Sequence, residues 1–149
     1  MPIGSPAPAL QTSTLDDRPV GLADVLDGAL PAVLLFVETR CAACVALGDE
    51  LALRDEPFTD RRLVVVVHGP RAQAIEKFGS IRHAEILLDT TGATADAYGV
   101  HGTPSAVVVT PDGRIASPIA EGRFDCKRLL DRSTVGPEDR EARELEVLA

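Results

Sequence analysis

Long apolar runs are missing from this chain of 149 residues. Val33 to Val37 and Leu63 to Val67 both fall far short of the ~18 apolar residues that a membrane-spanning helix needs, so no membrane role is expected. The start, MPIGSPAPALQTSTLDD, lacks a basic segment followed by an apolar core and reads as neither signal peptide nor anchor. The expected location is therefore cytoplasmic, unless an exported precursor has been trimmed. Positive charge is also scarce: 15 Lys and Arg face 23 Asp and Glu, for a net charge of -8 and a pI near 4.8, and lysine stands only at positions 77 and 127. Phosphate backbones are bound by clustered Lys and Arg, so a nucleic-acid partner is excluded. Cysteine is scarcer still, with three residues. A cytosolic chain with so few is expected to keep them reduced or cycling, not locked as staples. There is no second CxxC and no close Cys/His pair, which leaves Cys126, His68, His83 and His101 without the spacing of a structural zinc site, and no metal is expected.

The length suits one domain, taken as residues 1–132 with a tail over 133–149, and 45% hydrophobic residues suffice for a core. The chain is organised around Pro31 to Ala46, PAVLLFVETRCAACVA. Ala32 to Val37 is long enough for one buried strand, and it leads into Cys41-Ala42-Ala43-Cys44 at the opening of a helical pattern. Two thiols three apart at the first helical turn can close a small disulfide ring. The unpaired amides at that helix end favour a thiolate, the species that attacks disulfides. Cys41 is thus the expected nucleophile and Cys44 the resolving thiol.

Taken in order, Ala9 to Thr14 reads as a short edge strand, Leu15 to Pro19 as a turn and Val20 to Leu22 as the partner strand. Leu22, Val25 and Leu26 are spaced for a short helix stopped by Gly28. A helix over Ala42 to Arg54 follows the central strand, and Leu63 to Val67 predicts a strand buried on both faces. Pro70 opens a helix carrying Ala74, Ile75 and Phe78 that ends at Gly79, and Glu85 to Leu88 is the next strand. A short helix over Ala93 to Tyr98 leads to Gly102-Thr103-Pro104. Ser105 to Thr110 and Arg114 to Ile119, joined by Pro111-Asp112-Gly113, predict a β-hairpin. Asp125 can cap a closing helix in which Cys126, Leu129 and Leu130 share a face, which makes Cys126 a core residue and not a catalytic one. From Gly136 onward a marginal helix is expected.

This order of strand, CxxC helix, crossover, Thr-Pro and hairpin resembles the thioredoxin-like superfamily along most of the chain. The added αβ unit around 70–88, the N-terminal strand pair and the run Leu88-Asp89, Ala97-Tyr98-Gly99-Val100, Gly102-Thr103-Pro104 look most like the TlpA/ResA-type and MauD-type thiol-disulfide oxidoreductases. The resemblance implies an α/β fold with a central mixed sheet and helices on both faces. It implies a redox-active Cys41–Cys44 disulfide in place of any bound cofactor, and a disulfide-containing protein or small-molecule partner fed by an upstream reductant. It also implies that Pro104 follows a cis peptide beside the cysteine pair, with Thr103 backbone holding the substrate.

The chain departs from that pattern at four places. Arg40 replaces the usual Trp before the first cysteine, and Ala42-Ala43 replaces the frequent Gly-Pro or Glu-Pro. The buried Asp of thioredoxins falls on Leu35, and the Glu that follows the pair in ResA-like proteins falls on Leu47. The usual proton acceptor is therefore absent, and Glu38 or His101 is expected to serve. A guanidinium at Arg40 is expected to favour the thiolate modestly. Two rival readings remain, a redox-inactive interaction module and a peroxiredoxin-like peroxidase. The peroxidase signature Pro-x-x-x-Thr-x-x-Cys fails from Cys41, where Glu38 and Leu34 stand, and from Cys44, where Cys41 and Val37 stand.

Overall fold

The computed structural model describes residues 1–131. Along them run β1 (Thr12–Thr14), β2 (Pro19–Val20), α1 (Leu22–Val25), β3 (Ala32–Glu38), α2 (Ala42–Ala52) and β4 (Arg62–His68). Then follow α3 (Arg71–Phe78), β5 (Glu85–Leu88), α4 (Ala93–Ala97), β6 (Ser105–Val109), β7 (Ala120–Glu121) and α5 (Arg123–Asp131). The strands make one mixed sheet in the order β2-β1-β5-β4-β3-β6-β7. β3, β4 and β5 are parallel, while β6 opposes β3 and β1 opposes β5.

Unbroken Val and Leu runs in β3 and β4 are what strands covered on both faces require. Their alternation divides the core in two. Val33, Leu35 and Val37 join Leu63, Val65 and Val67 on one face, closed by Cys44 and Leu47 of α2, Ala74 and Phe78 of α3, and Cys126 and Leu130 of α5. Ala32, Leu34 and Phe36 join Val64 and Val66 on the other, closed by Val25 of α1 and Tyr98 beyond α4. The result is the α/β sheet with helices on both faces, an N-terminal strand pair and an added unit of α3 and β5.

Four local expectations need correction. The edge strand is only Thr12–Thr14, because the preceding residues spend their hydrogen bonds on α4: Gln11 N–H donates to Thr94 Oγ1 at 2.9 Å and Tyr98 Oη to Pro8 carbonyl at 2.6 Å. The first helix stops at Val25, with Leu26 already extended, and does not reach Gly28. The hairpin pairs at the Val109–Ile115 bridge and then breaks. Pro118 has no N–H to give the ladder, and Ser117 Oγ instead accepts from Val108 N–H at 2.9 Å, so pairing resumes only at β7. Asp125 is not the cap of the closing helix. That helix starts at Arg123 after Gly122, which puts Asp125 in the first turn. The expected tail helix from Gly136 lies outside the described residues.

Helices α2 and α3 meet at Gly48. A Cβ built there would lie 2.9 Å from Cδ1 of Phe78, whose ring is fully buried. An exposed helix would gain ~1 kcal/mol from Gly→Ala. Here the packed ring has nowhere to retreat, and overpacking costs ~1–3 kcal/mol. Gly48→Ala is therefore expected to lower stability by about 1 kcal/mol in urea unfolding, and a Phe78→Leu background should remove the penalty.

Candidate active site

β3 ends in the turn Thr39–Arg40, and the next residue, Cys41, is the N-cap of α2. The turn is held from below. Thr39 is buried, its N–H donates to His68 carbonyl at 3.2 Å, its hydroxyl bonds Gln73 at 2.9 Å, and its carbonyl accepts from Lys77 Nζ at 2.7 Å. Gly69 passes so close that a Cβ there would lie 2.3 Å from Thr39 Oγ1, and its φ of 147° also suits only glycine.

Cys41 is half-buried, and its sulfur occupies the place a Ser or Asp oxygen takes at most helix starts. It accepts from Cys44 N–H at 3.1 Å, and its thiol faces the carbonyl of Thr103 at 3.4 Å. The Thr103–Pro104 peptide is cis and opens β6, whose first residue pairs with Phe36 of β3. Sheet register thus brings residues 62 positions apart in the chain to one point.

Cys44 is one turn further in and fully buried. Leu35 and Leu47 belong to the same apolar cluster. Burial pushes its thiol up to about 12, and the neighbouring Cys41 thiol adds to the effect. Cys126 is likewise buried, and its thiol is raised to about 12 by burial and then by Asp125. All three cysteines are free thiols.

Glu38, His101 and Thr103 border one cavity of about 230 Å³, which Ala95 and Asp96 of α4 also line. His68 borders it too, placed opposite Glu38 by the β3–β4 register. Sequence reasoning assigns His68 no role once zinc spacing is found lacking, although adjacent C-terminal ends of two parallel strands are a readable signal of proximity. Asp89 is fully buried there, but both its oxygens are used, by the N–H groups of Thr94 and Ala95 at 3.3 and 3.0 Å. Arg40 lies on the opposite flank, in a groove of about 450 Å³ with Cys41 and Lys77. Among the described residues no three His, Cys, Asp or Glu side chains converge as a metal site. No described helix is long and apolar enough to cross a membrane.

Residues 3–117, more than half of the chain, match the sequence profile described as the AhpC/TSA family. No curated protein matches the chain. The fold is similar to that of the thioredoxin domain of a thiol-disulfide oxidoreductase from Bacteroides vulgatus, at TM-score 0.65 and 21% identity over 88% of this chain and 96% of that one. A thiol:disulfide interchange protein from Bacteroides sp. gives 0.65 and 21% over 93% and 95%. StoA from Bacillus subtilis gives 0.61 and 17% over 83% and 94%.

The three raised groups make stability pH-dependent. Between the ordinary thiol value of 9.0 and about 12, the unfolded chain has released protons that native Cys44 and Cys126 still hold. Buried Tyr98, also raised, acts in the same direction. Their contribution is thus fully present below about pH 9 and lost as pH rises toward 12. The urea midpoint of the reduced protein should be flat with respect to these groups from pH 7 to 8 and fall above 9, less steeply in Cys126→Ala.

Proposed function

The chain belongs to the AhpC/TSA family, and from that premise and the geometry of the Cys41–Cys44 pair we propose that it is a thiol-disulfide oxidoreductase that reduces disulfides in a protein or small-molecule partner. The observation that carries the reading is the placement of the Cys41 sulfur at the helix N-cap, between Cys44 N–H and the Thr103 carbonyl. An accessible sulfur held by a helix amide is poised as the nucleophile, and a second thiol three residues on is within reach of it.

In the proposed reaction the Cys41 thiolate attacks one sulfur of the substrate disulfide. The Cys41–substrate S–S bond forms, the substrate S–S bond breaks, and the released sulfur takes a proton. Cys44 then loses its proton and attacks Cys41, which forms the Cys41–Cys44 disulfide and expels the second substrate thiolate. Two electrons have moved from the pair to the substrate, and an upstream dithiol reductant returns them. No other redox group is invoked. Thr103 and Pro104 are assigned to substrate binding: Thr103 offers an edge of backbone beside Cys41 to which an extended partner segment can pair. A reducing, cytoplasmic setting goes with this proposal.

The second step is the demanding one, because Cys44 is buried among Leu side chains and holds its proton tightly. Glu38 and His101, which share the cavity next to Thr103, are proposed to accept that proton through solvent. Glu38→Gln should slow resolution by roughly tenfold, short of the ~10²–10⁴ of a fully positioned base, and leave formation of the mixed disulfide unchanged.

The test is trapping. Cys41→Ser should abolish disulfide reduction, whereas Cys44→Ser should accumulate a covalent adduct with a model disulfide substrate on a gel run without reductant. Equal trapping by both variants would contradict the assignment. Peroxide consumption at a rate exceeding disulfide reduction would move the reading to a peroxidase, and retention of both thiols under mild oxidation would move it to an inert module.

A further inference from the structure

Among the described residues arginine is nearly always committed. Ten arginines lie among the described residues, and seven of them pair with Asp or Glu: Arg18, Arg61, Arg62, Arg71, Arg82, Arg114 and Arg123. Arg54 stacks on Phe58, 3.8 Å from the ring centre, and donates to Glu56 carbonyl. Only Arg40 and Arg128 have no carboxylate or ring partner among the described residues. Arg128 is on the exposed side of α5, away from any site described here. Arg40 is next to the nucleophile.

Its surroundings make that position informative. The groove that Arg40 borders also carries Lys77, reaching across from α3. The Lys77 ammonium gives one bond to Thr39 carbonyl and has no carboxylate partner among the described residues. It therefore keeps two of its three donors for other acceptors. Asp49 is the one acid on the same groove, and no ion pair joins it to either cation among the described residues. On the other flank of Cys41 the cavity is lined by Glu38, Asp89 and Asp96 with His68 and His101. In a chain of net charge -8, two cations and one acid thus border the groove on one side of Cys41, and three carboxylates border the cavity on the other.

We propose that the Arg40–Lys77 groove is a specificity site that takes a carboxylate carried by the disulfide substrate, so that anionic disulfides are preferred to neutral ones. This rests on the redox reading above and adds the substrate class to it. A guanidinium offers a planar fork of donors that fits a carboxylate in two-point contact, and the groove leaves room for it beside the sulfur under attack. An exposed charge pair of this kind is worth about a two- to fivefold preference, enough to rank substrates without holding the product.

The experiment uses the full chain in its dithiol form and compares single-turnover rates with the dianionic disulfide dithiobis(nitrobenzoate) and the neutral disulfide dithiodipyridine. The readout is the ratio of the two rates. Arg40→Gln should lower that ratio about two- to fivefold, Arg40→Glu should lower it further, and Arg40→Lys should retain most of it. Arg128→Gln serves as the control for net charge and should leave the ratio unchanged. Equal scaling of both rates in Arg40→Gln would overturn the proposal, since it would show a general effect on the Cys41 sulfur. An equal drop in Arg128→Gln would also overturn it, since it would show long-range charge alone. Failure of the wild-type chain to react with either disulfide would instead remove the redox reading, and the specificity site with it.

Discussion

Everything at the site depends on the burial of β3 along both faces and its pairing along both edges. From Ala32 to Val37 every side chain lies in one of the two cores, and β4 and β6 take the hydrogen bonds on either side. Nothing polar can be carried within such a strand, because a group that loses water there costs several kcal/mol unless paired. Chemistry must therefore begin where the strand ends, at Glu38 to Cys41. The same pairing fixes what stands nearby. The β4 register sets His68 opposite Glu38, and the β6 register sets the Thr103–Pro104 loop against Phe36 and hence beside Cys41.

The asymmetry between the two thiols has one physical origin, which is depth along α2. Cys41, as N-cap, has its sulfur at the surface with a backbone amide pointed at it. Cys44 lies one turn further along, and the direction in which helical side chains lean sends its sulfur down into the core on β3. The sequence spacing of three residues is thus a device for placing one sulfur in water and the other out of it. Leu35 and Leu47 stand in the same apolar cluster as that sulfur, with no carboxylate in the cluster among the described residues. The core gains apolar contact, and the second thiol holds its proton more tightly.

What was readable in the sequence follows the strength of local signals. β3, β4 and α2 announced themselves because an unbroken Val/Leu run and an 11-residue helical pattern each have few competing interpretations. The hairpin expectation failed at one residue, Pro118, where a missing donor outweighs a turn sequence that is correct in itself. The edge strand was overextended because Pro8 and Gln11 are claimed by α4, a contact 80 or more residues away that no local pattern reveals. Arg61 was equally invisible. A charged side chain only 6% exposed bonds the last carbonyls of α5 and pairs with Asp60, which only the assembled fold can explain.

The support beneath the site was hidden for the same reason, and it constrains how the two flanks of Cys41 relate. Lys77 holds the Thr39 carbonyl while bordering the groove beside Cys41, so one ammonium both fixes the turn before Cys41 and contributes charge to its surroundings. Thr39 in turn bonds the carbonyl of His68, which borders the opposite cavity. The turn is therefore tied to both flanks by short bonds from α3 and β4, elements rooted in the same core as β3. A partner segment docked as proposed against Thr103 would have Arg40 and Lys77 toward one side of Cys41 and Glu38 toward the other. In that proposed arrangement an acid at one end of the segment would favour one direction along the edge over the other. Backbone pairing alone leaves that choice open, because it is available to any sequence.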